Sequence, residues 1–484
     1  MAGIGFRLKK FLSDDTYTGL IKGYFFGSVL SSGPWIFTIF SLAVIQLFAA
    51  RYLTIQEADT FTTSITYTFA FSLITFGLME MVITRYLADK LFLREGRILF
   101  ASFISILSPV LLFQVILASL LYVFTDFSLS YKFAGIALHV LISSLWVVMI
   151  FLSATKNYIA IAISFLAGAI VSALASVEFS RNFGVTGALV GVALGQAVTL
   201  SGLVWRLYRE FHFYPFFSNE IFHYYRKHSS LIWVGFLYNA GLWVDKILFW
   251  YLGPSTRISG PFYNDELYGS ALYLAYITMI PALTIFLVKI ETSFYIAFRA
   301  FYQAIEAKKG LKDLLKIKEQ LILSLRTSAR PLVTFQTGLC ICCVVFAPTI
   351  LNFFRLRQEL VAIFQIGTIG VFFQVLMVIM GIIILYFNGI QKVIFLYATF
   401  FVTNLIFSLL TLKWGFPTYG YGFTAACFIG FMMAYRLHEQ QIQNFDYETF
   451  FYQPIVSPNI YKIQETEPLE RAELSQIKME TKSG

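Results

Sequence analysis

Charge is scarce in this chain. Asp, Glu, Lys and Arg make up 13% of its 484 residues, about half the share of an ordinary soluble domain, which argues against a fold whose surface faces water throughout. Cysteine is scarcer still. Cys340, Cys342, Cys343 and Cys427 all lie in apolar stretches with no charged or His co-ligands nearby, so they read as packing residues and not as a metal or redox site. Gly-x-Ser-x-Gly, Walker A, His-Glu-x-x-His and paired catalytic carboxylates are all missing. No catalytic residue, metal, cofactor or intrinsic ATPase is therefore expected. The first 20 residues have no basic n-region, apolar h-region and small-residue cleavage site, so the first apolar span is expected to target the chain itself.

What is abundant is apolar sequence. Hydrophobic residues reach 58% and aromatics 18%, with 53 Phe and 28 Tyr. Between Gly23 and Tyr435 the chain repeatedly runs 17 to 32 residues without a formal charge. About 20 residues at 1.5 Å rise cross a hydrocarbon core of about 30 Å. Without water the peptide groups must be satisfied within a helix or a closed barrel, and the runs do not alternate as barrel strands do. The expected fold is an all-α integral membrane protein of about 12 transmembrane helices.

Six spans are expected over 23–205 (23–50, 60–79, 98–124, 133–155, 157–177, 182–205). Six more are expected over 230–437 (230–252, 267–288, 331–354, 360–387, 393–412, 414–435). An aromatic, basic connector at 206–229 separates the two bundles. Residues 1–22 form an amphipathic N-terminal segment, with Gly5–Leu12 lying on the membrane surface. Residues 298–330 form a basic segment, read as an interfacial elbow held by anionic lipid or as a docking surface. Residues 438–484 form a partly disordered tail. Gly187 and Gly195 in the sixth span match Gly422 and Gly430 in the twelfth in spacing, a weak sign of two parallel halves with the pathway between them. Gly187, Gly191 and Gly195 also form a small-residue ladder of the kind that packs helices.

Basic residues orient the chain. With the N-terminus inside, 28 of the 36 Lys and Arg fall on inside segments, 7 fall outside, and Lys246 lies within a span. This bias places both termini in the cytoplasm and accounts for the net charge of +9 without nucleic acid.

Charges inside spans are costly and carry functional weight. Asp245 and Lys246 are adjacent in the seventh span. Helix positions one apart point about 100° from each other, so the two are not expected to pair by stacking on one face. Asp245 is expected to face the wet space between the halves. Glu80 closes the second span and Glu291 follows the eighth; either a structural ion pair or a pathway role fits them. Trp35, Tyr238, Asn239 and Trp243 supply rings and hydrogen-bonding groups and complete the pathway candidates. Gly33 and Pro34 mark a kink that can gate. Lys308, Lys309, Lys312, Lys316 and Lys318 are the docking candidates.

Several segments occur together in order: Met-Ala-Gly-Ile-Gly-Phe-Arg-Leu at the start, Ser-Ser-Gly-Pro-Trp at Ser31–Trp35, and Trp-Val-Asp-Lys at Trp243–Lys246. They continue with Lys-Ile-Glu-Thr-Ser-Phe-Tyr at Lys289–Tyr295 and Arg-Ala-Phe-Tyr-Gln-Ala-Ile at Arg299–Ile305. In these the chain resembles the PelG family over residues 1 to about 450. That family comprises inner-membrane Pel exopolysaccharide transporters in the polysaccharide transporter branch of the multidrug/oligosaccharidyl-lipid/polysaccharide flippase superfamily. The resemblance implies two six-helix bundles around a central cavity, in the bacterial cytoplasmic (inner) membrane, with a growing N-acetylgalactosamine-rich polysaccharide as substrate. It also implies three partners: a cytoplasmic glycosyltransferase, a cyclic-di-GMP-binding membrane protein and a further membrane subunit. The near absence of cations in the spans suits a neutral polymer. The alternatives are a cation-coupled lipid-linked oligosaccharide flippase or drug exporter on the same fold, or a non-transporting membrane scaffold.

Overall fold

Apolar runs in lipid must bond their own backbone, and the computed structural model of this chain is almost wholly helical. It describes residues 37–45, 47–48, 51–93, 95–153, 158–211, 217–289, 293–354 and 356–450. Gly33, Pro34, Trp35, Glu291, the amphipathic segment Gly5–Leu12 and the tail beyond 450 lie outside the described residues. Among the described residues, nine helical stretches are long and apolar enough to cross a membrane.

The first group is built from α1 (Ile55–Phe92), α2 (Leu99–Val123), α3 (Leu129–Ser153) and α4 (Tyr158–Glu210). A capping box starts α1: Thr54 Oγ1 accepts the Glu57 N–H at 3.3 Å, and a Glu57 carboxylate oxygen accepts the Thr54 N–H at 2.9 Å, satisfying two orphan donors. Two limbs make up α4, joined at Gly184, where φ is +56° and a side chain would be strained. The limbs fold back on each other. A Cβ on Gly187 would lie 2.1 Å from the Phe179 carbonyl, one on Gly191 2.2 Å from Ser176, and one on Gly195 2.4 Å from Ser172. The glycine ladder therefore packs helix on helix, and the turn falls just inside the expected start of the sixth span.

The second group opens with the connector helix α5 (Glu220–Lys227) and α6 (Ser230–Leu252). An antiparallel hairpin of β1 (Thr256–Ser259) and β2 (Phe262–Asn264) follows. Next come α7 (Tyr268–Ile277), α8 (Met279–Lys289), α9 (Tyr295–Glu306), α10 (Leu311–Val345), α11 (Ala347–Phe353), α12 (Val361–Tyr386), α13 (Ile390–Trp414) and α14 (Tyr421–Gln443). The short α15 (Phe445–Phe450) belongs to a separate compact unit that begins at Arg436. Within the main unit α6 packs against both α13 and α1, so it is the helix that joins the two groups.

Two expected spans take a different form. The eighth is broken at Thr278 between α7 and α8. Pro281 has no N–H for the Ile277 carbonyl, and at the break the neighbouring Thr278 carbonyl accepts Gln336 Nε2 at 3.3 Å. The ninth is longer than expected, because α10 is continuous from the basic segment through Pro331. The residues before Pro331 hold no helix breaker after Gly310, so Lys312, Lys316 and Lys318 sit on the first turns of the spanning helix, while Lys308 and Lys309 lie in the turn that joins it to α9.

Candidate translocation seam

The two groups meet backbone to backbone at a pair of glycines. On α1 and α6, a Cβ added to Gly235 would lie 2.2 Å from the Gly77 carbonyl oxygen, and one added to Gly77 would lie 2.6 Å from that of Gly235. One turn further along each helix, Asn239 Nδ2 donates to Glu80 Oε2 at 3.4 Å and to the Gly235 carbonyl at 3.0 Å. The seam thus brings Glu80 and Asn239 together, one from each group. Trp243, one turn beyond Asn239, packs against the buried cluster in which Tyr67 of the first group meets Trp250 of α6. Asn239 and Trp243 share the face of α6 that meets α1, and Glu80 lies opposite them on α1.

Tyr238 and Asp245 lie elsewhere. The Tyr238 ring meets Tyr397 of α13, centroids 5.1 Å apart. Asp245 is 0% exposed. Its Oδ2 accepts the Tyr268 hydroxyl at 2.7 Å and the Lys246 ammonium at 3.0 Å. The expectation that the adjacent pair does not meet is corrected here. The four-carbon lysine stem doubles back across the 100° that separates the two positions, and burial rewards the contact. Asp245 points into the second group, with Tyr268 from α7 beside it.

Residues with no distinguishing sequence pattern complete the seam. Asn404 Nδ2 of α13 donates to the Gly241 carbonyl at 2.9 Å, and Ser408 donates to Asn404 Oδ1 at 3.1 Å. At the connector end, Arg85 Nη1 donates to Asn388 Oδ1 at 3.0 Å, tying α1 to the α12–α13 turn. There Lys90 pairs with Glu95 and Glu220, and the Tyr224 hydroxyl donates to Asp89.

The hairpin end is closed by aromatic packing. Tyr67 of α1 stacks on Trp250 of α6, centroids 4.3 Å apart, and meets Phe262 at 4.8 Å. Phe262, 1% exposed, also meets Tyr122 at 5.1 Å and Phe127 at 5.9 Å. The hairpin binds the α2–α3 turn through Ser259 Oγ, which accepts the Asp126 N–H at 2.8 Å. The Tyr263 N–H donates to the Tyr67 hydroxyl at 3.1 Å. Gly260 turns the hairpin with φ +53°, and a Cβ there would meet the Phe124 carbonyl at 2.3 Å.

Asp265 follows the hairpin, outside the spans. Its Oδ1 accepts the Tyr268 N–H at 3.2 Å, while its buried Oδ2 has no hydrogen-bond partner. Burial pushes its carboxyl up to about 6; the Tyr268, Gly269 and Leu267 N–H groups oppose the shift, and Asp245 adds to it. A carboxyl whose folded pKa lies above its unfolded value favours the fold while protonated. That contribution is complete below about pH 4 and is lost as pH rises through about 6. A two-unit shift corresponds to about 3 kcal/mol. The melting temperature of the protein is expected to fall across this window, and that of Asp265→Asn to stay level; parallel curves for the two would remove Asp265 as the cause.

Residues 1–450 match the family model PelG, described as "Putative exopolysaccharide Exporter (EPS-E)". The chain belongs to the PelG family. No curated protein matches it. Among solved structures, an outward-facing multidrug resistance MATE family transporter of the MOP superfamily aligns with TM-score 0.63 at 12% identity, over 86% of this chain and 95% of that one. A MATE transporter in the straight conformation aligns with TM-score 0.62 at 12% identity, over 87% and 95%. A MOP superfamily transporter from Pyrococcus furiosus Vc1 (DSM3638) aligns with TM-score 0.59 at 12% identity, over 86% and 96%. At such identities the likeness is one of fold. This PelG-family chain is a multi-pass membrane protein with a transporter fold and an exopolysaccharide exporter's family signature, not an enzyme's.

Proposed function

We propose that this chain carries a growing N-acetylgalactosamine-rich polysaccharide, Pel, across the bacterial cytoplasmic membrane as the transporter subunit of a synthase complex. The observation that carries the reading is the family match over residues 1–450, on a chain whose helices adopt the fold of MOP transporters. In the proposed topology twelve spans form two six-helix bundles with both termini in the cytoplasm, as the Lys and Arg bias favours. The connector end then faces the cytoplasm and the hairpin end the periplasm.

The proposed pathway follows the α1–α6 seam. Glu80 and Asn239 offer hydrogen bonds to hydroxyl and acetamido groups, and Trp243 offers a ring face for sugar stacking. Trp35 and Glu291 are assigned to the same pathway and Gly33–Pro34 to its gate, on sequence grounds. Tyr238 lines its second-group side. Asp245 is assigned a supporting place behind Tyr268 and Lys246.

The partners proposed are a cytoplasmic glycosyltransferase, a cyclic-di-GMP-binding membrane protein and a further membrane subunit. Inverted membrane vesicles holding all four components, supplied with the nucleotide sugar, are expected to accumulate polymer in the lumen, protected from added glycosidase. Vesicles without this chain are expected to leave polymer outside or make none. Equal lumenal polymer in both would end the transporter reading.

The glycosyltransferase is proposed to dock on the start of α10. Lys308, Lys309, Lys312 and Lys316 are exposed there, and Lys318 is half-buried. Replacing all five with Gln is expected to lower partner recovery at low salt and to flatten its salt dependence, because screening then has less to weaken. Unchanged recovery at every salt concentration would leave these lysines to the lipid headgroups.

A further inference from the structure

Lys246 is the one Lys or Arg inside the expected spans, and its surroundings are unusual for a lysine. The ammonium does not reach for an interface. It donates to the Leu242 carbonyl at 2.9 Å and to Asp245 Oδ1 and Oδ2 at 3.1 and 3.0 Å. The Tyr276 hydroxyl lies at 3.4 Å. The Tyr276 and Phe423 rings present their faces to it at 4.9 and 5.2 Å. These groups come from α6, α7 and α14. Behind them Tyr268 donates to Asp245 Oδ2 at 2.7 Å, and Cys427 is fully buried nearby.

Four oxygens and two ring faces around a single positive charge make a monovalent-cation shell. The carboxylate supplies one negative charge and the carbonyl and phenol oxygens complete a hard-oxygen set. The ring faces stabilise a cation through their quadrupoles. A lone carboxylate buried to this degree is expensive in the membrane; with the ammonium in place the site is neutral. We propose that Asp245, Leu242, Tyr276 and Phe423 form a monovalent-cation site of which Lys246 is the covalently tethered occupant. The charge then stays in the second bundle while substrate moves, and Asp245 takes no ion from solution. Removing the tether opens the site to a small free cation.

An ordinary buried ion pair makes a different prediction. It loses stability when Lys246 is removed, with no recovery specific to the added cation. The test therefore reads melting temperature and not export, so it stands or falls apart from the proposed substrate.

The full chain is purified as wild type, Lys246→Ala, Lys246→Gln and the double variant Asp245→Asn/Lys246→Ala. Each is melted in choline chloride, then with Na+, K+ or methylammonium replacing choline at constant ionic strength. Wild type is expected to be indifferent to the replacement. Lys246→Ala is expected to melt lower in choline and to regain roughly 2–4 °C with a small cation in about hundredfold excess over its Kd. Methylammonium, which carries the missing head group, is expected to be the most effective. The double variant, lacking the carboxylate, is expected not to respond. Lys246→Gln keeps most of the stem volume and carries the same test if Lys246→Ala does not fold. Folded single variants without cation-specific recovery would overturn the proposal, as would failure of both to fold in every salt. So would a wild type stabilised by Na+ in a manner lost on Asp245→Asn.

Discussion

Gly235→Val is expected to abolish export while both helix groups stay folded. The α1–α6 contact is made by two backbones, and position 235 has no slack. A Cβ there would lie 2.2 Å from the Gly77 carbonyl oxygen, far inside van der Waals distance. A carbonyl within a helix cannot swing away as a flexible side chain can, so one helix must move off the other. Overpacking of this kind costs about 1–3 kcal/mol where a core can adjust, and here the strain falls on the only pair of helices that carries both Glu80 and Asn239. Their 3.4 Å contact, one turn from the glycines, would open with the separation. Gly338→Val and Gly269→Val are the matched controls, since a Cβ at either meets nothing within 4 Å. Export with normal protein levels should collapse for Gly235→Val and persist for both controls. Full export by Gly235→Val would mean that the seam carries no substrate and tolerates a different spacing.

The seam was only half legible in the sequence. Span positions followed directly from uncharged runs, because lipid leaves a helix no alternative. The fold-back at Gly184 was readable too, since a short glycine-containing turn separates two apolar stretches of spanning length. Glu80 and Asn239 stood out as polar residues in apolar company, but nothing in a linear chain says that two helices 159 positions apart meet at their glycines. Asp245 was readable as costly and not as paired. Angular position on a helix describes where side chains begin, and the lysine ammonium ends four carbons away. The broken eighth span had a signal in Pro281, yet one proline in a membrane helix is common enough to pass unremarked. The hairpin is the clearest loss. Thr-Arg-Ile-Ser-Gly-Pro-Phe-Tyr-Asn joins β-branched and aromatic residues around a Gly-Pro turn, but at nine residues it reads as a loop between spans. Its importance comes from Phe262, whose partners lie in the first group.

That hairpin yields the second large effect. In the proposed topology it lies at the periplasmic end, where a polymer must leave between the bundles. Phe262 is seated among Tyr67, Tyr122 and Phe127, and Ser259 holds the Asp126 backbone at 2.8 Å. Burying an aromatic ring of this size stabilises the closed arrangement by about 2–3 kcal/mol, small enough for a transport cycle to undo and large enough to keep the end shut at rest. A covalent bond across the same contact removes that freedom. Asp126→Cys with Ser259→Cys, in a background with Cys340, Cys342, Cys343 and Cys427 replaced, places thiols at two positions whose side chains now touch, Ser259 Oγ lying 3.4 Å from Asp126 Oδ2. Under oxidation the pair is expected to bridge and export to stop; a reductant should restore it within the same cells, and either single cysteine should be insensitive to both treatments. Phe262→Ala, which empties the aromatic seat, is expected to weaken the closed state and so to leak small solutes through the resting protein. If the bridged protein exports polymer at the unbridged rate, the hairpin is a fixed part of the periplasmic surface and the polymer passes elsewhere.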